Sequence, residues 1–177
     1  MRCLTVEEAR AGLPGHLAED QYPKRGEPNM KCGLFYFGDE TVPNTFWIAR
    51  RLVESLGHWE EACLWLNQPD TWKRNGFHLY NRLRQSYGDY RLVTEAPVHQ
   101  FYGYEQADLC SFVAVALINE WSFYLFSSHD YGRLFVSQSS GAQLWVGESE
   151  DLAELIADLK SHRIAMSVSP FQPLTQG

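Results

Sequence analysis

Residues 105–121 read EQADLCSFVAVALINEW, and residues 122–138 continue as SFYLFSSHDYGRLFVSQ. The two stretches carry different periodicities. In the first, Leu109, Phe112, Val113, Ala116 and Leu117 recur at helical spacing on one face. Val115 and Ile118 add apolar character on the far side, and a helix apolar nearly all round belongs at the centre of a fold. In the second, short apolar runs lie at Phe123 to Ser127 and Arg133 to Ser137, with a third at Gln143 to Val146. The turn-rich segments SHDYG and QSSGA separate them, the pattern of an antiparallel meander. A buried helix, then strands, then another helix predicts an α+β fold. The expectation is one domain over 1–177, with an antiparallel or mixed sheet, a C-terminal three-stranded meander and packed helices.

Working outward, TVEE at Thr5 to Glu8 has the form of a capping box and predicts a short helix stopped by Pro14. Residues 14–32 hold charges, prolines and glycines and read as a surface loop. LFYF at Leu34 to Phe37 reads as a buried strand. TFWIARRLVESLG places Phe46, Ala49, Leu52, Val53 and Leu56 on one helical side, with Gly57 as the stop. ACLWLN at Ala62 to Asn67 reads as a strand, with Leu64 and Leu66 facing away from Cys63 and Trp65. NGFHLYNRLRQSYGDYR predicts a helix ending near Gly88. Its apolar stripes are Leu79 with Leu83 and Tyr80 with Tyr87, and Arg82 and Arg84 leave on other sides. EAPVHQFYGYE reads as extended and turn-rich. ESEDLAELIADLKSH closes the domain as an amphipathic helix through Leu152, Leu155, Ile156 and Leu159, and residues 164–177 read as a loose tail.

The apolar fraction of 45% is enough for a packed core in 177 residues. Fifteen Lys and Arg against 22 Asp and Glu leave a net charge of −7. That balance argues against a nucleic-acid binder, which draws affinity from phosphate neutralisation, and suits a basic protein partner. Cys3, Cys32, Cys63 and Cys110 show no metal-ligand spacing and read as reduced thiols of a reducing compartment. The start MRCLTVEEARAGL has no apolar signal-peptide core, and the run FVAVALI is too short to span a bilayer. The expectation is a cytoplasmic protein without membrane association. His16, His58, His78, His99, His129 and His162 form no metal-binding pair, and no phosphate-cradling glycine motif occurs, so neither metal nor cofactor is expected.

Ser128, His129 and Asp130 carry the letters of a hydrolase triad. Neighbours in an extended chain or tight turn diverge, whereas a triad converges from separate elements. The run therefore reads as a hairpin tip held by Asp130 and Gly132. Lys73, Arg74, Arg82, Arg84 and Arg91 interleave with His78, Tyr80, Tyr87 and Tyr90. This segment reads as a solvated face paired with the acidic C-terminal helix, as a protein interface, or as a grip on single-stranded RNA. Cys110 reads as an inert core thiol, and Cys32 beside Lys31 is the candidate reactive cysteine. Glu7-Glu8, Glu60-Glu61 and Glu148 to Asp151 read as helix starts.

The blocks FHLYNRLRQSYGDYRLVTEAP and WSFYLFSSHDYGRLFVS resemble a family of uncharacterised bacterial proteins across about Leu34 to Ser137. That resemblance assigns no functional residue. The ending, short strands followed by the acidic-capped DLAELIADL helix, is similar in organisation to immunity proteins of bacterial polymorphic toxin systems, the SUKH group included. The order of helices before strands departs from the SUKH pattern. The likeness implies a small acidic α+β protein that binds and blocks a toxin. On this reading the chain is a non-enzymatic binding protein that occludes a basic cleft. Its partner contacts are Asp39, Glu40, His129, Asp130, Tyr131, Glu148, Glu150 and Asp151. A second reading is an accessory domain that uses Lys73, Arg74, Tyr80, Arg82, Arg84, Tyr87 and Arg91 for a protein or RNA. A third is an enzyme with a composite site around His129 and Asp130. Oligomeric state stays open.

Overall fold

The computed structural model describes residues 1–12, 30–36, 42–67, 77–127, 133–138, 142–147, 154, 157–158, 161 and 165–169. In order these form β1 (Arg2–Leu4), α1 (Val6–Gly12), β2 (Met30–Tyr36), α2 (Val42–Glu54), β3 (Glu61–Leu66), α3 (Phe77–Ser86) and β4 (Val98–Tyr102). A single 3₁₀ turn (Gly103–Glu105) then leads into α4 (Gln106–Ile118), followed by β5 (Phe123–Ser127), β6 (Arg133–Gln138), β7 (Ala142–Gly147) and β8 (Ala165–Ser169). In β2, β6, β7 and β8 the backbone alone is described. The fold is α+β.

The strands form one sheet in the order β1-β4-β3-β5-β6-β7-β2-β8. Every neighbouring pair is antiparallel. β4 and β5 both border β3, so they run parallel to each other, and α4 supplies the crossover that a parallel connection requires. By the same alternation β2 runs parallel to β3, and α2 links them. The two crossover helices pack on each other.

β3 shows why the core sits where it does. Ala62, Leu64 and Leu66 point into the main cluster with α2 and α4, while Cys63 meets Leu4, Ala9, Val98 and Phe126 on the opposite face. Period-two alternation with apolar residues on both sides marks an interior strand. α4 buries Leu109, Phe112, Val113, Ala114, Val115, Ala116 and Leu117, as its all-round apolar pattern predicts; Ile118 is exposed at the end. The helix closes with Glu120 in the left-handed region (φ 57°) and the amide of Trp121 donating to Ala116 O at 2.9 Å. That six-to-one bond turns Trp121 back into the core, where it is almost fully buried.

Several expectations are met. Thr5 and Glu8 bond reciprocally, the Thr5 amide to Glu8 Oε2 at 2.8 Å and the Glu8 amide to Thr5 Oγ1 at 3.1 Å. Gly57 ends the α2 segment at φ 71°. Others are corrected. Phe46 is exposed, and the buried side of α2 is Ile48, Ala49, Leu52 and Val53. Glu60-Glu61 stand at the start of strand β3, not of a helix. β2 starts at Met30, inside the expected 14–32 loop, and Ala165–Ser169 pair with β2 where a loose tail was expected.

Candidate functional site

The α3 helix fixes the chemistry at the β1–β4 edge of the sheet. Its inward stripe is Tyr80, Arg84 and Tyr87, at i, i+4 and i+7. Tyr80 and Arg84 are fully buried, and Leu79 faces out. The Arg84 guanidinium donates through Nε to Cys3 Sγ at 3.4 Å and through Nη2 to Asp89 Oδ1 at 3.2 Å. Its Nη1 finds no hydrogen-bond partner among the described residues. Asp89 is the hub. It also accepts from the Arg91 amide at 2.9 Å and from Arg91 Nε at 3.1 Å. Arg91 Nη2 reaches Cys3 O at 2.8 Å, and Nη1 lies 3.6 Å from Glu8. Burial pushes the Asp89 carboxyl up, but the Arg91 bonds and the charges of Arg84 and Arg91 together hold it below its ordinary value.

These bonds set the backbone between α3 and β4. Gly88 takes φ 83°, open only to glycine without strain. The Leu92 amide donates to Glu95 Oε2 at 2.9 Å. Tyr90 (78% exposed) and Leu92 (59%) are thereby held outward on a tied segment. Beside it lies an open cleft of about 220 Å³ lined by Met1, Arg2, Cys3, Glu8, Tyr87, Gly88, Asp89 and Arg91. The Met1 ammonium pairs with Glu105, and Glu105 Oε2 accepts from the Tyr102 amide at 2.9 Å. The cleft is thus joined to the 3₁₀ turn, where Tyr104 is 86% exposed. Burial pushes the Cys3 thiol up despite Arg84 beside it, which disfavours the nucleophilic thiolate. Tyr87 is likewise raised by burial and by its bond to Asp108.

Behind the cleft, His99 is fully buried on β4. The Tyr80 hydroxyl lies 3.5 Å from its Nδ1, and its ring meets Tyr80 edge-on and Phe112 at a tilt. Burial, then the Arg84 charge, lowers its pKa to about 3. An unfolded histidine takes its proton near 6.5, so between the two values the unfolded chain binds the extra proton. Stability is full above the unfolded value and falls with pH through that window, by about 1.4 kcal/mol per unit. Between pH 7 and pH 5, His99→Leu is expected to lose about 2 kcal/mol less than the wild type in urea unfolding. An equal decline in both would contradict the neutral buried state.

The expected site residues separate sharply. Asp39, Glu40, His129, Asp130, Tyr131, Glu148, Glu150, Asp151, Lys73 and Arg74 lie outside the described residues. Tyr80 and Arg84 belong to the interior, not to a basic surface, because their stripe is the one turned to the sheet. Arg82 is exposed, Tyr87 is half-buried, and Arg91 is engaged by Asp89. Among the described residues of the C-terminal acidic segment, Asp158 pairs with Arg51 of α2, and Glu154 lies 3.8 Å from the same arginine. Cys3, Asp89, Glu105 and the displayed Leu92 and Tyr104 escaped the sequence reading. Among the described residues no His, Cys, Asp or Glu group could hold a metal, and no helix is long and apolar enough to cross a membrane. Comparison with protein-family models, curated proteins and solved structures returned no match.

Proposed function

We propose that this chain is a non-enzymatic, cytoplasmic binding protein, most concretely an immunity or inhibitor protein that blocks a bacterial toxin by occlusion. The observation that supports the reading is the clamped display of Tyr90 and Leu92 beside the Arg84–Asp89–Arg91 network. An apolar side chain on a backbone already held by hydrogen bonds loses little conformational freedom on docking. Tyrosine is favoured at such anchors. The net charge of −7 suits a basic partner. RNA is the weaker reading of the same segment, since Arg84 is buried and Arg91 is engaged, leaving Arg82 as the exposed arginine of α3.

A neighbouring gene that encodes a toxin domain would supply the test partner for the chain. Co-expression is expected to protect cells. Tyr90→Ala with Leu92→Ala is expected to weaken the complex by at least about 2 kcal/mol, roughly 30-fold. Both side chains are exposed, so the unfolding midpoint is expected to stay within error. Unchanged affinity would reject this surface, and absent protection would reject the immunity reading.

A further inference from the structure

We infer that Tyr102 and Tyr104, flanked by Glu60 and Glu61, form a seat for an arginine or lysine side chain of a protein partner. The inference rests on the binding-protein reading and adds the chemistry of one contact. The two tyrosine rings stack with centroids 5.9 Å apart and planes 10° from parallel. Tyr102 lies alongside Tyr104 in an offset stack, and Tyr104 remains 86% exposed, so its outer face is open to solvent. An aromatic face attracts a cation, most strongly a guanidinium lying flat on it.

The surroundings bias that face toward cations. Glu61 is the ladder partner of Tyr102, so the two side chains share one face of the sheet. Gln100 donates to Glu61 Oε2 at 3.0 Å and orients it. Glu60 is exposed, and its backbone lies against Gly103, between the two tyrosines. Arg2, the ladder partner of Gln100, is a cation on that same face, and the Met1 ammonium is taken by Glu105, so among the described residues the two carboxylates Glu60 and Glu61 stand beside one other cation. The seat is also held in place. The Gly103 amide donates to Glu60 O at 2.8 Å. A Cβ at Gly103 would lie 3.0 Å from Trp59 O, so a larger residue there would push the turn and the Trp59 backbone apart by a few tenths of an ångström.

The occupant chosen is a basic segment of a protein, because the acidic chain complements it and a stacked aromatic pair fits a planar guanidinium. A capped hexa-arginine peptide is the probe, followed by amide chemical shifts at low salt, with the citrulline hexapeptide as its uncharged match. Shifts are expected at Glu60, Gly103 and Tyr104 with arginine and not with citrulline. Tyr104→Ala is expected to weaken binding about fivefold and Tyr104→Phe by less than about twofold, since the phenyl face keeps the attraction. Glu60→Gln is expected to weaken it about threefold. Shifts confined to other acidic surfaces, or Tyr104→Ala binding like the wild type, would overturn the seat. The titration needs no toxin, so failure of the immunity reading leaves it standing. Conversely, loss of partner affinity in Tyr90→Ala with Leu92→Ala, alongside a silent titration, would remove only the seat.

Discussion

Asp89→Ala is expected to lower the unfolding free energy by about 3–5 kcal/mol, a large share of the stability of a domain this size. The reason is what remains behind. Arg84 is fully buried, and among the described residues its charge partner is Asp89, at 3.2 Å. Without the carboxylate, a guanidinium stays inside with only the weak acceptor Cys3 Sγ. The reverse change is milder. Arg84→Met removes the buried charge together with its unsatisfied Nη1, and Asp89 keeps its bonds from Arg91. Adding Arg84→Met to Asp89→Ala is therefore expected to recover most of the loss, because no unpaired charge is left inside. Urea unfolding of the four proteins reads the cycle. An Asp89→Ala within about 0.5 kcal/mol of wild type would show that the clamp does not hold the segment.

Phe112→Ala is expected to cost about 3–5 kcal/mol. Its ring meets Tyr80 at 5.1 Å, Phe101 at 5.4 Å, His99 at 5.6 Å and Tyr87 at 6.2 Å. The residue thus joins α3, β4 and α4, and no single neighbour can fill the space it leaves. A second effect accompanies the first. Water entering beside His99 weakens the burial that keeps it neutral, so the loss of stability between pH 7 and pH 5 becomes shallower than in the wild type. A cost under about 1 kcal/mol with an unchanged acid slope would place the aromatic cluster outside the stabilising core.

How legible each part was in the sequence follows from what each signal depends on. α4 was readable because a helix buried on all sides needs no choice of face. β3 was readable because its alternation is clean. The faces of α2 and α3 were harder, since helical spacing groups residues into stripes without saying which stripe turns inward. Phe46 and Leu79 look like core residues by type and are exposed, whereas Arg84 looks like a surface residue and is buried. Its place in the Tyr80–Tyr87 stripe was the available signal. β4 was legible as extended chain, but not as a strand with a buried face, because its inward positions are His99 and Phe101 and a buried histidine blurs the alternation. β1 is three residues long, too short for any periodicity. The clamp itself joins Cys3 to Arg84 across 81 positions. Local pattern carries no information at that separation; the pairing exists because β1 docks beside β4.

The central claim is that the chain works by binding at the β1–β4 edge. Amide hydrogen exchange, measured with and without the proposed toxin partner, tests it most directly. The account predicts new protection at residues 89–93 and 102–105. Protection confined to residues 39–40, 128–131 or 148–151, with this edge exchanging as in the free chain, would contradict it.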